Sequence, residues 1–98
     1  MKLEGLLPVG SVVMLKGGTH RTMIIGYCQR LINDPETVFD YVGCLFPEGF
    51  LSAEKNYLFN RDQIETIYHV GYQTDGQMAF VDKMEKAIDS LNGKEEKQ

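Results

Sequence analysis

Apolar residues in the first two thirds of the chain come in short runs cut by glycine, which is the pattern of strands rather than of helices. Val12-Val13-Met14-Leu15 is apolar throughout and β-branched at two positions, and predicts a strand. Gly17-Gly18-Thr19-His20 supplies the flexible backbone of a turn. Thr22 to Cys28 predicts a second strand, paired with the first in a hairpin whose loop exceeds the tight two-residue type. Gly26 inside it marks a bulge or a close backbone approach. Asn33-Asp34-Pro35-Glu36 reads as a turn by composition, with Arg30 to Thr37 as an exposed hairpin tip. Val38 to Leu45 predicts a third strand, with Gly43 at a second bulge, and Tyr57-Leu58-Phe59 a short fourth.

Asn60-Arg61-Asp62-Gln63 predicts a single helical turn, with Asn60 as cap and Gln63 three residues on, as in a capping box. Ile64 to Tyr72 alternates as a fifth strand. Ile64, Thr66, Tyr68 and Val70 fall on one face, and Glu65, Ile67, His69 and Gly71 on the other. The last element is a helix over about 77–92, capped by Thr74. Phe80, Val81, Met84, Ala87, Ile88 and Leu91 recur at three- and four-residue spacing, and Asp82, Lys83, Glu85, Lys86 and Asp89 fill the other side. Asn92-Gly93 ends it. Residues 94–98 form a polar tail that frays.

These elements describe one β-rich domain over residues 1–93. Short strands with a one-turn helix before the last predict a strongly bent sheet. The expected fold is mainly β with α: an SH3-like, partly open five-stranded antiparallel barrel with a C-terminal helix packed on it. An open antiparallel sheet with one helix is the alternative.

The composition agrees with a single small domain. Of 98 residues, 43% are hydrophobic and 24% charged, which excludes a wholly disordered chain. The net charge of −4 lacks the basic footprint of a nucleic-acid binder. The loose set Lys16, His20, Arg21 and Arg30 reads as a solvated face. No stretch reaches the ~18 apolar residues of a membrane span, because Pro8, Gly10 and Ser11 interrupt the best one, Leu6 to Leu15. A signal peptide's charged start and unbroken apolar region are missing as well. The expected address is the cytoplasm. Cys28 and Cys44 sit in apolar runs and are expected reduced and buried, although a disulfide between neighbouring strands is left open.

Candidate chemistry is sparse. His20 and His69 have no partner at a metal-ligand spacing, and neither cysteine has a histidine fixed beside it by sequence. Gly17-Gly18-Thr19 lacks the phosphate-loop pattern. No enzyme activity, metal or cofactor is expected. Aromatic residues carry more information: Phe39, Tyr41, Phe46, Phe50, Tyr57 and Phe59 crowd into one stretch, and most belong in a core. Met14, Met23, Met78 and Met84 are expected to fill that core. Phe46 and Phe50, however, flank Pro47-Glu48-Gly49, and a loop does not easily bury both. Pro47 restricts Phe46, and Gly49 allows a sharp return. Phe46, Pro47, Glu48, Gly49 and Phe50 are therefore the candidate protein-binding residues, with Glu48 placed to meet a basic or amphipathic helix.

Three strings stand out: Leu7-Pro8-Val9-Gly10-Ser11-Val12-Val13-Met14-Leu15-Lys16-Gly17-Gly18, Asp40-Tyr41-Val42-Gly43-Cys44-Leu45-Phe46-Pro47-Glu48-Gly49, and Val70-Gly71-Tyr72. With Met23-Ile24-Ile25-Gly26 and Phe59-Asn60, they resemble a family of small Gram-positive bacterial proteins classed as a domain of unknown function. Its members tend to be encoded beside LXG-type toxins and type VII secretion components. The resemblance implies a non-enzymatic accessory, adaptor or chaperone-like module whose partner is an LXG-type toxin or its helical companion protein. It supplies no catalytic residue. Two other readings stand beside it: a small-ligand or nucleic-acid-binding barrel, and a structural protein without a ligand. Neither the oligomeric state nor the binding face follows from the sequence.

Overall fold

A computed structural model describes residues 5–92, apart from the side chains of Asp34 and Pro35. Five antiparallel strands, β1 (Val12–Leu15), β2 (Arg21–Leu31), β3 (Asp34–Phe46), β4 (Tyr57–Phe59) and β5 (Ile64–His69), are followed by one helix, α1 (Asp75–Leu91). The sheet order is β4-β3-β2-β1-β5. The chain meanders through four strands and then returns to lay β5 against β1, and the two outer strands do not join. This is the partly open five-stranded arrangement with a C-terminal helix that the sequence predicts. Short 3-10 turns at Ala53–Lys55 and Arg61–Gln63 flank β4. Among the described residues no helix is long and apolar enough to cross a membrane.

Two strands run longer than the composition suggests. The turn between β2 and β3 is Ile32-Asn33, because Leu31 pairs with Asp34. Asn33 to Glu36 is thus not the turn: Asp34 and Pro35 already belong to β3. Beyond Gln29 this hairpin has left the rest of the sheet, so Pro35 interrupts no central ladder. The bulge expected at Gly26 is present, as the register shifts between Ile24 and Gly26. Gly43 is not a second bulge. It lies where the strands crowd, and a Cβ there would meet the Thr22 methyl at 2.6 Å and the Phe59 ring at 3.0 Å.

The simple alternation expected for β5 also fails. Met14 pairs with Thr66 but Leu15 with Ile64, and Val12 pairs with His69 but Val13 with Ile67. Glu65 and Tyr68 are the extra residues, and each bulge reverses the facing of the residues beyond it. Ile64 and Ile67 therefore both pack on the core, while Thr66 and Tyr68 face solvent. The strand ends at His69 rather than at Tyr72.

The core joins one sheet face to the helix and to the segment before β1. Leu6, Leu7, Val13, Ile24, Tyr27, Val38, Tyr41, Phe59, Val81 and Ile88 form it. Helix α1 starts at Asp75, two residues earlier than expected, with the Thr74 side chain accepting from the Gln77 N–H at 3.0 Å. It packs chiefly on β2 and β3. Its buried stripe is narrower than the periodicity implies. Val81 and Ile88 are buried and Met84 half-buried, but Phe80 is 50% and Leu91 51% exposed. Phe80 lies at the rim, its ring 6.3 Å from that of Tyr27. A helix on a bent sheet touches along one line, so the flanks of its apolar stripe stay open. The expected Gly93 cap and the tail at 94–98 lie outside the described residues. The Asn92 side chain does hold the helix end to β3, accepting from Val38 N–H at 3.3 Å and donating to Val38 C=O at 3.1 Å.

Polar clips complete the frame. Leu7 is held between two tyrosines: its N–H donates to Tyr41 Oη at 2.9 Å and its C=O accepts from Tyr27 Oη at 2.5 Å. Ser11, fully buried, donates from Oγ to Pro8 C=O at 2.7 Å and accepts there from Gly71 N–H at 3.0 Å. A side chain at Gly71 would collide with the Val9 carbonyl, so the close approach requires glycine. Asp40 accepts from Arg61 N–H at 2.8 Å and from its Nε at 3.1 Å, and Arg61 also reaches Glu85 at 2.8 Å. Burial works against the Arg61 charge, but Asp40 and Glu85 more than offset it and hold the group protonated more firmly than usual. Asp40 N–H donates to Asn60 Oδ1, and Gln63 Oε1 accepts from Asn60 N–H, the reciprocal arm of the expected capping box.

Candidate functional site

The sheet has two faces, and among the described residues one α-helix packs on it, so one face stays uncovered by that helix. On that face β5, β1, β2 and β3 set His69, Val12, Met23 and Cys44 directly opposite one another in a row. Directly opposed residues of antiparallel strands share a face. Val12 and Cys44 are buried but stand outside the core beneath the helix. The next row pairs Arg21 with Phe46. Gly10, Val12, Arg21, Met23, Phe46, Tyr68 and His69 line a groove of about 570 Å³ here.

The groove is apolar with a cationic rim. Phe46, 39% exposed, forms one wall, and Tyr68, 47% exposed, forms the other. The bulge at Tyr68 brings its ring under Arg21, whose guanidinium carbon lies 4.4 Å from the ring centre. Met23 on the floor contributes an adaptable thioether. The lining contains no carboxylate, although the chain carries four more acidic than basic groups.

The five residues singled out in the sequence meet this groove at one end only. Phe46 lines it. Pro47 follows through a cis peptide bond, Glu48 is exposed, and Gly49 has φ +83°. Gly49 N–H closes the loop by donating to Leu45 C=O at 2.8 Å. Phe50 is 62% exposed but does not line the groove. Val12, Arg21, Met23, Tyr68 and His69 were missed. Val12 reads as a strand residue, Met23 as core filling, Arg21 as solvated surface, and Tyr68 and His69 as positions on opposite faces of one strand. The signal was present in Thr22-Met23-Ile24-Ile25, where apolar residues occupy both faces of one strand. Of the four internal methionines, only Met84 packs against the core cluster; Met78 is 56% exposed.

The Cys44 thiol and the His69 imidazole are held apart. Cys44 and His69 end the same row with two strands between them, about 14 Å at ordinary strand spacing. Both cysteines are free. Cys44 is buried, and burial raises its thiol above the usual range. Cys28 is only half-buried, at a left-handed φ of +61°, rather than buried as expected. Among the described residues no group of three or more His, Cys, Asp or Glu side chains is placed to hold a metal ion.

The strings that carry the family resemblance also have a physical account. Pro8 and Ser11 meet Gly71, Leu7 meets Tyr41, and Asp40 meets Asn60. They are closures of the fold, while Gly10, Val12, Met23 and Phe46 of the same strings line the groove. No curated protein and no solved structure matches the chain. A family model, domain of unknown function DUF4176, matches residues 6–80, from the tyrosine-held Leu6-Leu7 segment to the start of the helix, and the chain belongs to that family.

Proposed function

We propose that this chain is a non-enzymatic binding module that handles an LXG-type toxin, or the helical companion of such a toxin, as an adaptor or chaperone in type VII secretion, and that the partner docks on the helix-free face of the sheet. The secretion context comes from the resemblance of the Leu7–Gly18 and Asp40–Gly49 strings to proteins encoded beside such toxins. The observation that carries the docking face is the groove at Phe46, where a pre-shaped loop adjoins an apolar floor. A loop fixed by Pro47 and the Gly49 return loses little freedom on binding, which favours affinity. Exposed aromatics and methionine beside a cation are the side chains that anchor protein interfaces.

Co-expression with LXG toxins from genomes that encode this family, followed by affinity capture, tests the reading. The toxin or its companion should co-purify with the wild-type chain. The double change Phe46→Ala with Glu48→Ala should reduce capture at least about tenfold while leaving the melting temperature nearly unchanged. Absence of any toxin or companion across several cognate pairs would sink the reading. Full capture by the double variant would move the interface elsewhere.

A further inference from the structure

We infer that the groove reads an acidic amphipathic segment of its protein partner: apolar side chains settle on Val12, Met23 and Phe46, and a carboxylate pairs with Arg21. This rests on the protein-binding reading above and adds to it the chemistry of the segment that docks.

Three observations lead there. The first is the local inversion of sign. The chain has a net charge of −4, yet the one formally charged side chain lining this groove is Arg21, and no Asp or Glu lines it. The second is the contrast between two arginines. Arg61 is spent on Asp40 and Glu85 within the fold. Arg21 has no carboxylate partner among the described residues and stacks on Tyr68 instead. Stacking holds a guanidinium by its face and leaves the N–H donors around its edge directed outward, where a carboxylate can take two of them at once. The third is the apolar surface beside it. Phe46 is directly opposite Arg21 across the β2–β3 pair, and Met23 and Val12 continue that surface. A ligand that satisfies the whole groove combines apolar groups with one negative charge at a fixed offset, as an amphipathic protein segment does.

Nucleic acid satisfies the groove less well. Arg21 already covers a face of the Tyr68 ring on which a base would stack, and the overall negative charge repels a phosphate backbone.

Two synthetic amphipathic helical peptides with the same leucine face, one with glutamates beside it and one with lysines, test the inference on the isotope-labelled full chain by NMR titration. The glutamate peptide should shift the amides of Met23, Phe46 and Tyr68 and bind at least about tenfold more tightly than the lysine peptide. Arg21→Gln should abolish that preference at an unchanged melting temperature, because Arg21 is exposed. Equal binding, a preference for lysine, no shift at those residues with either peptide, or an undiminished preference in Arg21→Gln would overturn the inference. So would tighter binding of a single-stranded oligonucleotide or of octanoate at the same residues. Toxin capture separates this failure from that of the parent reading. If Arg21→Gln retains the toxin in full while the Phe46→Ala, Glu48→Ala variant loses it, the module stands and the carboxylate contact falls. If no toxin is captured but the glutamate preference holds, the secretion role falls and the groove chemistry stands.

Discussion

Arg21 of β2 lies 4.4 Å above the ring of Tyr68 in β5, although β1 separates their strands. The contact exists because Tyr68 is an extra residue in β5, at a register shift opposite Val12 and Val13. A bulge bends its strand and re-aims a side chain, and here it tips the ring toward the middle of the sheet. The same bulge puts Ile67 on the core, so one irregularity serves packing on one face and the groove on the other.

The helix should be held by Ile88 and not by Phe80. Ile88 is 1% exposed inside the core cluster, whereas Phe80 is half exposed at its rim. Ile88→Ala should destabilise the protein by about 2–5 kcal/mol, and Phe80→Ala by about 1 kcal/mol or less. Urea unfolding of both variants measures the difference. Equal losses would mean that α1 lies on the sheet by another face.

Ser11 should matter beyond its size. Its hydroxyl accepts from the Gly71 N–H and bridges it to the Pro8 carbonyl. Ser11→Ala leaves a buried donor unsatisfied, at a cost of about 1–3 kcal/mol. Amide exchange at Gly71 should accelerate more than exchange at Ile24, whose N–H donates to the Ser11 carbonyl and keeps its bond in the variant. Unchanged exchange at Gly71 would argue against the bridge.

Alkaline pH should unfold the protein earlier than its other charges suggest. Burial raises the Tyr41 phenol well above its ordinary 10, with the Leu7 N–H opposing and the nearby Asp40 charge adding to the rise. Burial raises Tyr27 too, against a Val9 backbone contact. Because the folded values exceed the unfolded one, both phenols contribute stability below about pH 10, and that contribution is lost as the pH rises toward the folded values. The melting temperature should fall steadily above about pH 10, and phenolate absorbance from these two rings should appear only with unfolding. Full ionisation of all five tyrosines in the folded state would contradict this.

The two thiols should differ in reactivity. Cys44 is buried and its thiol is pushed up by burial, so thiolate is scarce at neutral pH. Cys28 is half-buried. Brief iodoacetamide treatment at neutral pH, read by peptide mass spectrometry, should label Cys28 before Cys44. Labelling of Cys44 first would mean that β3 opens locally ahead of β2.

Local sequence set the elements and their caps. Apolar β-branched runs cut by glycine specified β1, β2 and β3. Asn60 and Gln63 specified the 3-10 turn, and Thr74 with a helical apolar spacing specified α1. Each depends on neighbours within a few residues, and local sterics and hydrogen bonding suffice to set them. Facing was another matter. Glu65 and Tyr68 become bulges only when β5 is laid against β1, and Gly43 is crowded only because Thr22 and Phe59 converge on it. Pro35 joins a strand because that hairpin has outrun the sheet. The groove of Val12, Met23, Phe46, Tyr68 and Arg21 draws on four strands, and it exists because one helix covers one side of a sheet that is apolar on both. Side-chain direction reverses with every inserted residue, so which residues share a face is decided by strand pairing across the chain, and only the tertiary structure fixes that.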